Sequence, residues 1–181
     1  MPSADFLSDF PERFDTPLPA FTADGGLPPG DFLPSRLEFE KRFVETANRE
    51  RRSAIYEGWS RHRSALLLAG GTPASRQLLN GSYTTDKETP GDIDLAVEVP
   101  MSNREELAGL TLDHPIVKLL QGPLTKPEYD CDAYPIFVLP STDPNYSRVT
   151  VRAIQYWTKW FGRGRNKKTK GRVWAETGGL Q

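Results

Sequence analysis

The chain of 181 residues has one cysteine, Cys131, which excludes an intrachain disulfide and a zinc site built on a Cys-x-x-Cys pair. It has no apolar run near the roughly 20 residues that a membrane-spanning helix needs. Met1 to Asp15 is acidic, without the basic start and apolar stretch of a secretory signal. These absences lead us to expect a cytoplasmic protein with no membrane partner. Histidine is also scarce. His114 precedes Pro115 in a turn, and His62 falls within a helical stretch, where a solvated or core-edge place is expected rather than a metal ligand.

The composition is that of an ordinary globular domain, with 37% hydrophobic and 26% charged residues. The net charge of −1 conceals a polarity. The first 35 residues hold six acids, a single arginine (Arg13) and no lysine, whereas Arg148 to Arg172 holds nine Arg or Lys and no acid. The basic segment reads either as a surface for a polyanion or as a solvated loop. Arg163, Arg165, Lys167, Lys168 and Lys170 are its candidate nucleic-acid contacts, beside the aromatics Trp157, Trp160 and Phe161.

Residues 1–34 are rich in Pro, Asp and Phe and read as an extended arm that docks on its own domain or on a partner; residues 35–181 read as the folded domain. Ser35-Arg36-Leu37-Glu38 fits a capping box opening a helix. A second helix is expected from about Arg51 to Ala69, with Ile55, Trp59 and Leu66 on its inner side and Arg49, Arg51, Arg52, Arg61 and Arg63 on its wet face, ended by Gly70-Gly71. Strands are expected at Arg76–Asn80, Ile93–Val99 and Tyr129–Leu139, with a short one at Arg172–Ala175. Short helices are expected at Asn103–Leu110 and Ile116–Leu120, and an amphipathic helix through Val149, Ala153, Trp157, Trp160 and Phe161.

The informative segment is Leu78-Leu79-Asn80-Gly81-Ser82, nine residues, then Asp92-Ile93-Asp94-Leu95. Alternate residues of a strand share a face, so Asp92 and Asp94 project together. Two adjacent carboxylates repel unless a cation lies between them, and a hard ion such as Mg2+ suits carboxylate oxygens. Gly81 lets a phosphate approach the backbone, and Ser82 offers a hydroxyl and an N–H. Thr84 and Lys87 lie on the return to the acid strand, where Lys87 can reach phosphate. A third acid on a neighbouring strand completes a two-metal site for in-line phosphoryl chemistry, holding metal and taking the proton of an attacking hydroxyl. Asp132 is preferred for this, deeper in an apolar strand, with Asp130 in reserve.

Gly81, Ser82, Asp92 and Asp94, with a later acid strand, resemble the signature of the DNA polymerase β-like nucleotidyltransferase superfamily. The string from Asn80 to Asp94, with Leu27-Pro28-Pro29-Gly30, Leu37-Glu38-Phe39 and Arg42-Phe43, resembles more closely a group of small stand-alone bacterial nucleotidyltransferase-like proteins. The resemblance spans about Gly26 to Leu139. It implies an α+β domain with a short mixed sheet flanked by helices, two Mg2+ ions (or Mn2+), and an NTP, ATP among the possibilities. The acceptor would be a hydroxyl on RNA or tRNA, a protein or a small molecule. Small relatives point by analogy to toxin–antitoxin or phage-defence systems. Thr84 stands where many minimal relatives carry an arginine after Gly-Ser. Two other readings share the acids: a binding or toxin-neutralising protein without turnover, and a metal-dependent nuclease, which does not need the Gly-Ser turn.

Overall fold

The computed structural model describes residues 14–164 and 168–180. The domain is α+β, a five-stranded mixed sheet flanked by helices. Strand β1 (Asp31–Phe32) leads to α1 (Arg36–Phe39), which continues as a π-helical turn over Glu40–Val44. The long helix α2 (Arg49–Leu68) precedes β2 (Arg76–Asn80) and β3 (Ile93–Pro100). The short helices α3 (Arg104–Gly109), α4 (Pro115–Lys118) and α5 (Lys126–Tyr129) lead to β4 (Cys131–Val138). A π-helical turn (Ser147–Val151), α6 (Arg152–Phe161) and β5 (Arg172–Glu176) complete the chain.

The sheet order is β1-β5-β2-β3-β4. β2 is antiparallel to both neighbours, and β3 and β4 run parallel. Strand alternation sorts the side chains into two layers. Leu79, Ile93, Leu95, Val97, Cys131 and Ala133 face α2 and join Phe39, Phe43, Ile55, Trp59 and Leu66 in the main core. Leu78, Ala96, Ile136 and Trp174 face the other way and pack under Ile154 and Phe161 of α6.

The capping box is present in full: the Glu38 N–H donates to Ser35 Oγ, and the Ser35 N–H donates to Glu38 Oε2 at 2.9 Å. The expected wet face of α2 needs correcting. Arg52 is 1% exposed, and Arg63 and His62 are also buried. Arg52 donates to the carbonyls of Phe43, Tyr83, Thr85 and Lys87 at 2.6–2.9 Å, so its charge is met by four backbone dipoles instead of water. Arg63 lies over the Trp59 ring, 4.2 Å from its centroid. His62 is wholly buried, its Nε2 2.7 Å from Leu119 O.

The described part of the arm is no detached extension. Leu18, Leu27 and Phe32 join the main core, and β1 pairs in parallel with β5. Arg42 donates to Pro19 O, which ties the arm to the first helical segment. Phe6 and Phe10 lie outside the described residues. No helix among the described residues is long and apolar enough to cross a membrane.

Candidate functional site

β2 ends in Asn80, and Gly81 turns the chain with a φ of +84°, a left-handed conformation that favours glycine. A Cβ on Gly81 would lie 2.4 Å from Asp94 Oδ2, so this backbone lies directly against the carboxylate. Tyr83 anchors the far side of the turn. Its ring is buried beside Phe39 and Phe43, and its hydroxyl donates to Arg52 O at 3.1 Å. Arg52 in turn clamps the carbonyls from Tyr83 to Lys87, and the Asp86 N–H donates to Gly25 O at 2.9 Å. The segment between the Gly-Ser turn and the acids is thus held from α2 and from the arm.

The strand register brings the acids together. Asn80 pairs with Asp94 across β2 and β3, and Asp94 pairs with Asp132 across β3 and β4. Asn80, Asp94 and Asp132 therefore form one row at the sheet end, on the α6 face. Asp92 precedes this row. Asp130 does not join it: β4 begins only at Cys131, and Asp130 caps α5 in a left-handed conformation (φ 53°). Its carboxylate is 2.9 Å from Arg51 of α2. Of the two candidates, the row therefore contains Asp132 and not Asp130.

Burial first, then the Asp92 and Asp132 carboxylates, push the Asp94 carboxyl up to about 6; Lys170 and Lys126 counter the rise. Burial, then Asp92, also raise Asp132. Asp132 Oδ1 and Asn80 Oδ1, on either side of Asp94, are buried acceptors with no hydrogen-bond donor among the described residues. Orphaned acceptor oxygens cost about 1–3 kcal/mol each unless something meets them. Two such oxygens flanking a repelled carboxylate match the donor chemistry of a hard cation. Among the described residues, no three His, Cys, Asp or Glu side chains are drawn together as a closed metal-ligand set. Lys126 Nζ holds Asp92 Oδ2 at 2.5 Å.

Lys126 is a residue that motif reading missed, and Lys170, read from the sequence as a nucleic-acid contact, also lies beside the acids. Thr125 positions Lys126: its hydroxyl lies 2.7 Å from Cys131 O and accepts the Ala133 N–H at 3.3 Å, pinning the start of α5 beside β4. Lys170 points its ammonium at Gly81 O, 3.5 Å away. Both are distant in sequence from the acids, and only the fold brings them in.

The other sequence candidates divide. Ser82 is half-buried, and its hydroxyl has no partner among the described residues. Thr84 is buried, with its hydroxyl 3.4 Å from Gly81 O, so it serves the turn. Lys87 is exposed. Lys168 pairs with Asp24 of the arm at 2.8 Å, and Arg163 bridges to Thr169. Arg165 and Lys167 lie outside the described residues. The basic segment is therefore not a uniform solvated patch. Cys131 is buried at the start of β4, and burial pushes its thiol up to about 12, which disfavours the thiolate.

A family model matches residues 19–176, the arm from Pro19 to the end of β5, so every element of the site falls within it. The chain belongs to this family, a family of unknown function (DUF6932). No curated protein and no solved structure matches the chain. The Leu27-Pro28-Pro29-Gly30 and Arg42-Phe43 segments fall inside the family's span, and in this member they secure the arm: Leu27 and Phe43 are core residues, and Leu27 O accepts the Gly171 N–H at 2.9 Å.

Proposed function

We propose that this protein is a metal-dependent nucleotidyltransferase that moves a nucleoside monophosphate from an NTP to a hydroxyl acceptor. The observation that carries the reading is the row Asn80–Asp94–Asp132, with the Gly81 backbone pressed against Asp94. A nuclease needs the acids but not that turn. The order of parts also supports the resemblance to the polymerase β-like superfamily: a Gly-Ser turn, an Asp-x-Asp strand, then a neighbouring strand bearing the third acid.

Asp92, Asp94 and Asp132 would hold the divalent ions, with Asn80 Oδ1 beside them. Two Mg2+ ions, when bound, supply charge neutralisation for in-line displacement at phosphorus. The Gly81 backbone and Ser82 hold the triphosphate. Lys126 and Lys170 oppose its charge, a task for which the turn itself provides no arginine, since Thr84 occupies that place. Asp132 accepts the proton of the attacking hydroxyl, whose oxygen bonds the α-phosphorus as pyrophosphate leaves. Positioning and preorganised charge supply most of the rate.

The test is incubation with each labelled NTP, Mg2+ or Mn2+, and bulk RNA or protein. Label should transfer to an acceptor, and Asp92→Asn and Asp94→Asn should abolish transfer and Mg-NTP binding while leaving the fold intact. Retention of label without transfer would make the protein a nucleotide-binding, non-turnover member of the same fold. Shortened RNA would favour a nuclease. Full ligand-induced thermal stabilisation in both Asn variants would remove the site assignment.

A further inference from the structure

The outer face of α6 carries a chemistry that its packing does not use. Ile154, Thr158 and Phe161 point inward and are buried. Arg152, Gln155, Tyr156, Lys159 and Trp160 point outward. Tyr156 is 57% exposed and Trp160 62% exposed, the two aromatic rings among the exposed large hydrophobic side chains of the described residues. They stand one helical turn apart, so their rings meet. The ring planes lie 6° apart with centroids 6.3 Å apart.

These rings are joined to the acid row. Tyr156 meets Trp157 edge-on at 5.0 Å, and Trp157 lies 4.7 Å from Tyr134. Tyr134 is two residues beyond Asp132 on β4 and so shares its face. An aromatic path thus runs from the exposed end of α6 to the carboxylates. Charge accompanies it. Arg152, Lys159 and Arg163 have no ion-pair partner among the described residues. The sequence holds no acid between Asp143 and Glu176.

We infer that the Tyr156–Trp160 face of α6 binds single-stranded nucleic acid, and that this strand is the acceptor whose hydroxyl is led past Trp157 and Tyr134 toward Asp132. The acceptor role rests on the proposed transferase activity; the binding does not. Planar π faces alternating with cations suit a chain in which planar bases alternate with phosphates. A duplex keeps its base faces stacked inside and offers nothing to Tyr156 or Trp160. An acidic peptide would satisfy the cations but leave the parallel rings without a partner.

The test uses the full chain without NTP or divalent ion. Fluorescence anisotropy would follow labelled oligo(U), oligo(dT) and a duplex, each of about 12 nucleotides, within the range of single-strand site sizes. Both single strands should bind at low salt and the duplex much more weakly. Tyr156→Ala with Trp160→Ala should weaken single-strand binding about tenfold or more, since both base–ring stacks are removed. Tyr156→Phe should retain it. Lys159→Ser with Arg163→Ser should flatten the log–log salt dependence by roughly 1.4 units, about 0.7 for each phosphate no longer neutralised. Label transfer from NTP to the oligonucleotide should fall in the Tyr156→Ala, Trp160→Ala protein while Mg-NTP binding persists. Failure of single strands to bind at low salt, equal duplex binding, equal competition by poly-glutamate, or indifference to removal of both rings would each overturn the inference. Binding without label transfer would overturn the acceptor role.

Discussion

Asp94 and Gly81 share one small volume: the glycine backbone occupies the place where any side chain would strike the carboxylate, 2.4 Å from its Oδ2. Gly81→Ala adds that clash to a φ of +84°. The left-handed strain costs about 1–2 kcal/mol, and Asp94 must move. We expect a folded protein of somewhat lower stability that has lost Mg-NTP binding. Gly91→Ala is the control, since a Cβ there meets nothing within 4 Å. Calorimetric titration of both variants checks this; wild-type nucleotide affinity in Gly81→Ala would show that the turn does not shape the site.

Arg52 acts on the same loop from behind. Arg52→Met leaves the carbonyls of Phe43, Tyr83, Thr85 and Lys87 without their donor. At about 1–3 kcal/mol for each buried acceptor left unmet, with some regaining water, the loss of stability should reach about 3 kcal/mol or more. Arg52→Lys keeps the charge and part of the bonding and should recover some of it. Denaturant unfolding measures the total. Hydrogen exchange should locate the loosening at Tyr83–Lys87; protection unchanged there would mean the clamp is dispensable.

His62 gives stability a pH dependence of definite sign. Its Nε2 donates to Leu119 O at 2.7 Å, which leaves Nδ1 as a buried atom without a partner. Burial lowers its pKa, opposed by that hydrogen bond and by Glu128. The folded value thus lies below the unfolded value of 6.5, so the unfolded chain binds the proton more readily. The stability is fully present above about 6.5 and is lost as pH falls toward the folded value, by up to about 1.4 kcal/mol per pH unit. Unfolding between roughly pH 7.5 and 5.5 should show this slope, and His62→Gln should flatten it. An identical slope in both proteins would assign the effect to other groups.

Asp92, Asp94 and Gly81 are legible in the sequence because their relation is local: a strand period of two and a turn. Asp132 is legible as an acid in an apolar strand, but its pairing opposite Asp94 is a matter of register between distant strands. Asp130 falls outside the strand because the strand starts at Cys131, two residues later than its pattern suggests, behind a left-handed cap. On α2, positions 52, 55, 59, 62 and 66 form a clean helical stripe, yet residue type alone assigns Arg52 to water and His62 to water or the core edge. The carbonyls that receive them come from the Tyr83–Lys87 loop, the π-helical turn and the end of α4, which periodicity does not bring to α2. Lys126 and Lys170 reach the site through tertiary contacts alone. The π-helical turns before α2 and α6 leave no mark in the pattern.

Lys126 allows a test with two opposite signs. Its ammonium holds Asp92 at 2.5 Å, where under the proposed function it would compete with a metal ion for the same carboxylate. The lysine is about half exposed, 46%, so the pair itself adds little stability, at most about 1 kcal/mol. Under the proposed function, a bound triphosphate would give the ammonium a second anionic partner and turn it from Asp92. Lys126→Met should therefore free Asp92 and bind Mn2+ alone more tightly, by a few-fold. The same variant should bind Mg-NTP more weakly, about tenfold, the loss of one charge-assisted hydrogen bond. Lys170→Met, whose ammonium lies toward Gly81 O instead, should weaken Mg-NTP without the gain for Mn2+. Calorimetric titrations of metal alone and of metal with a non-hydrolysable NTP separate the two effects. If Lys126→Met lowers both affinities together, the lysine is a structural brace for the acid row; if it lowers neither, its contact with Asp92 is a surface pair with no part in binding.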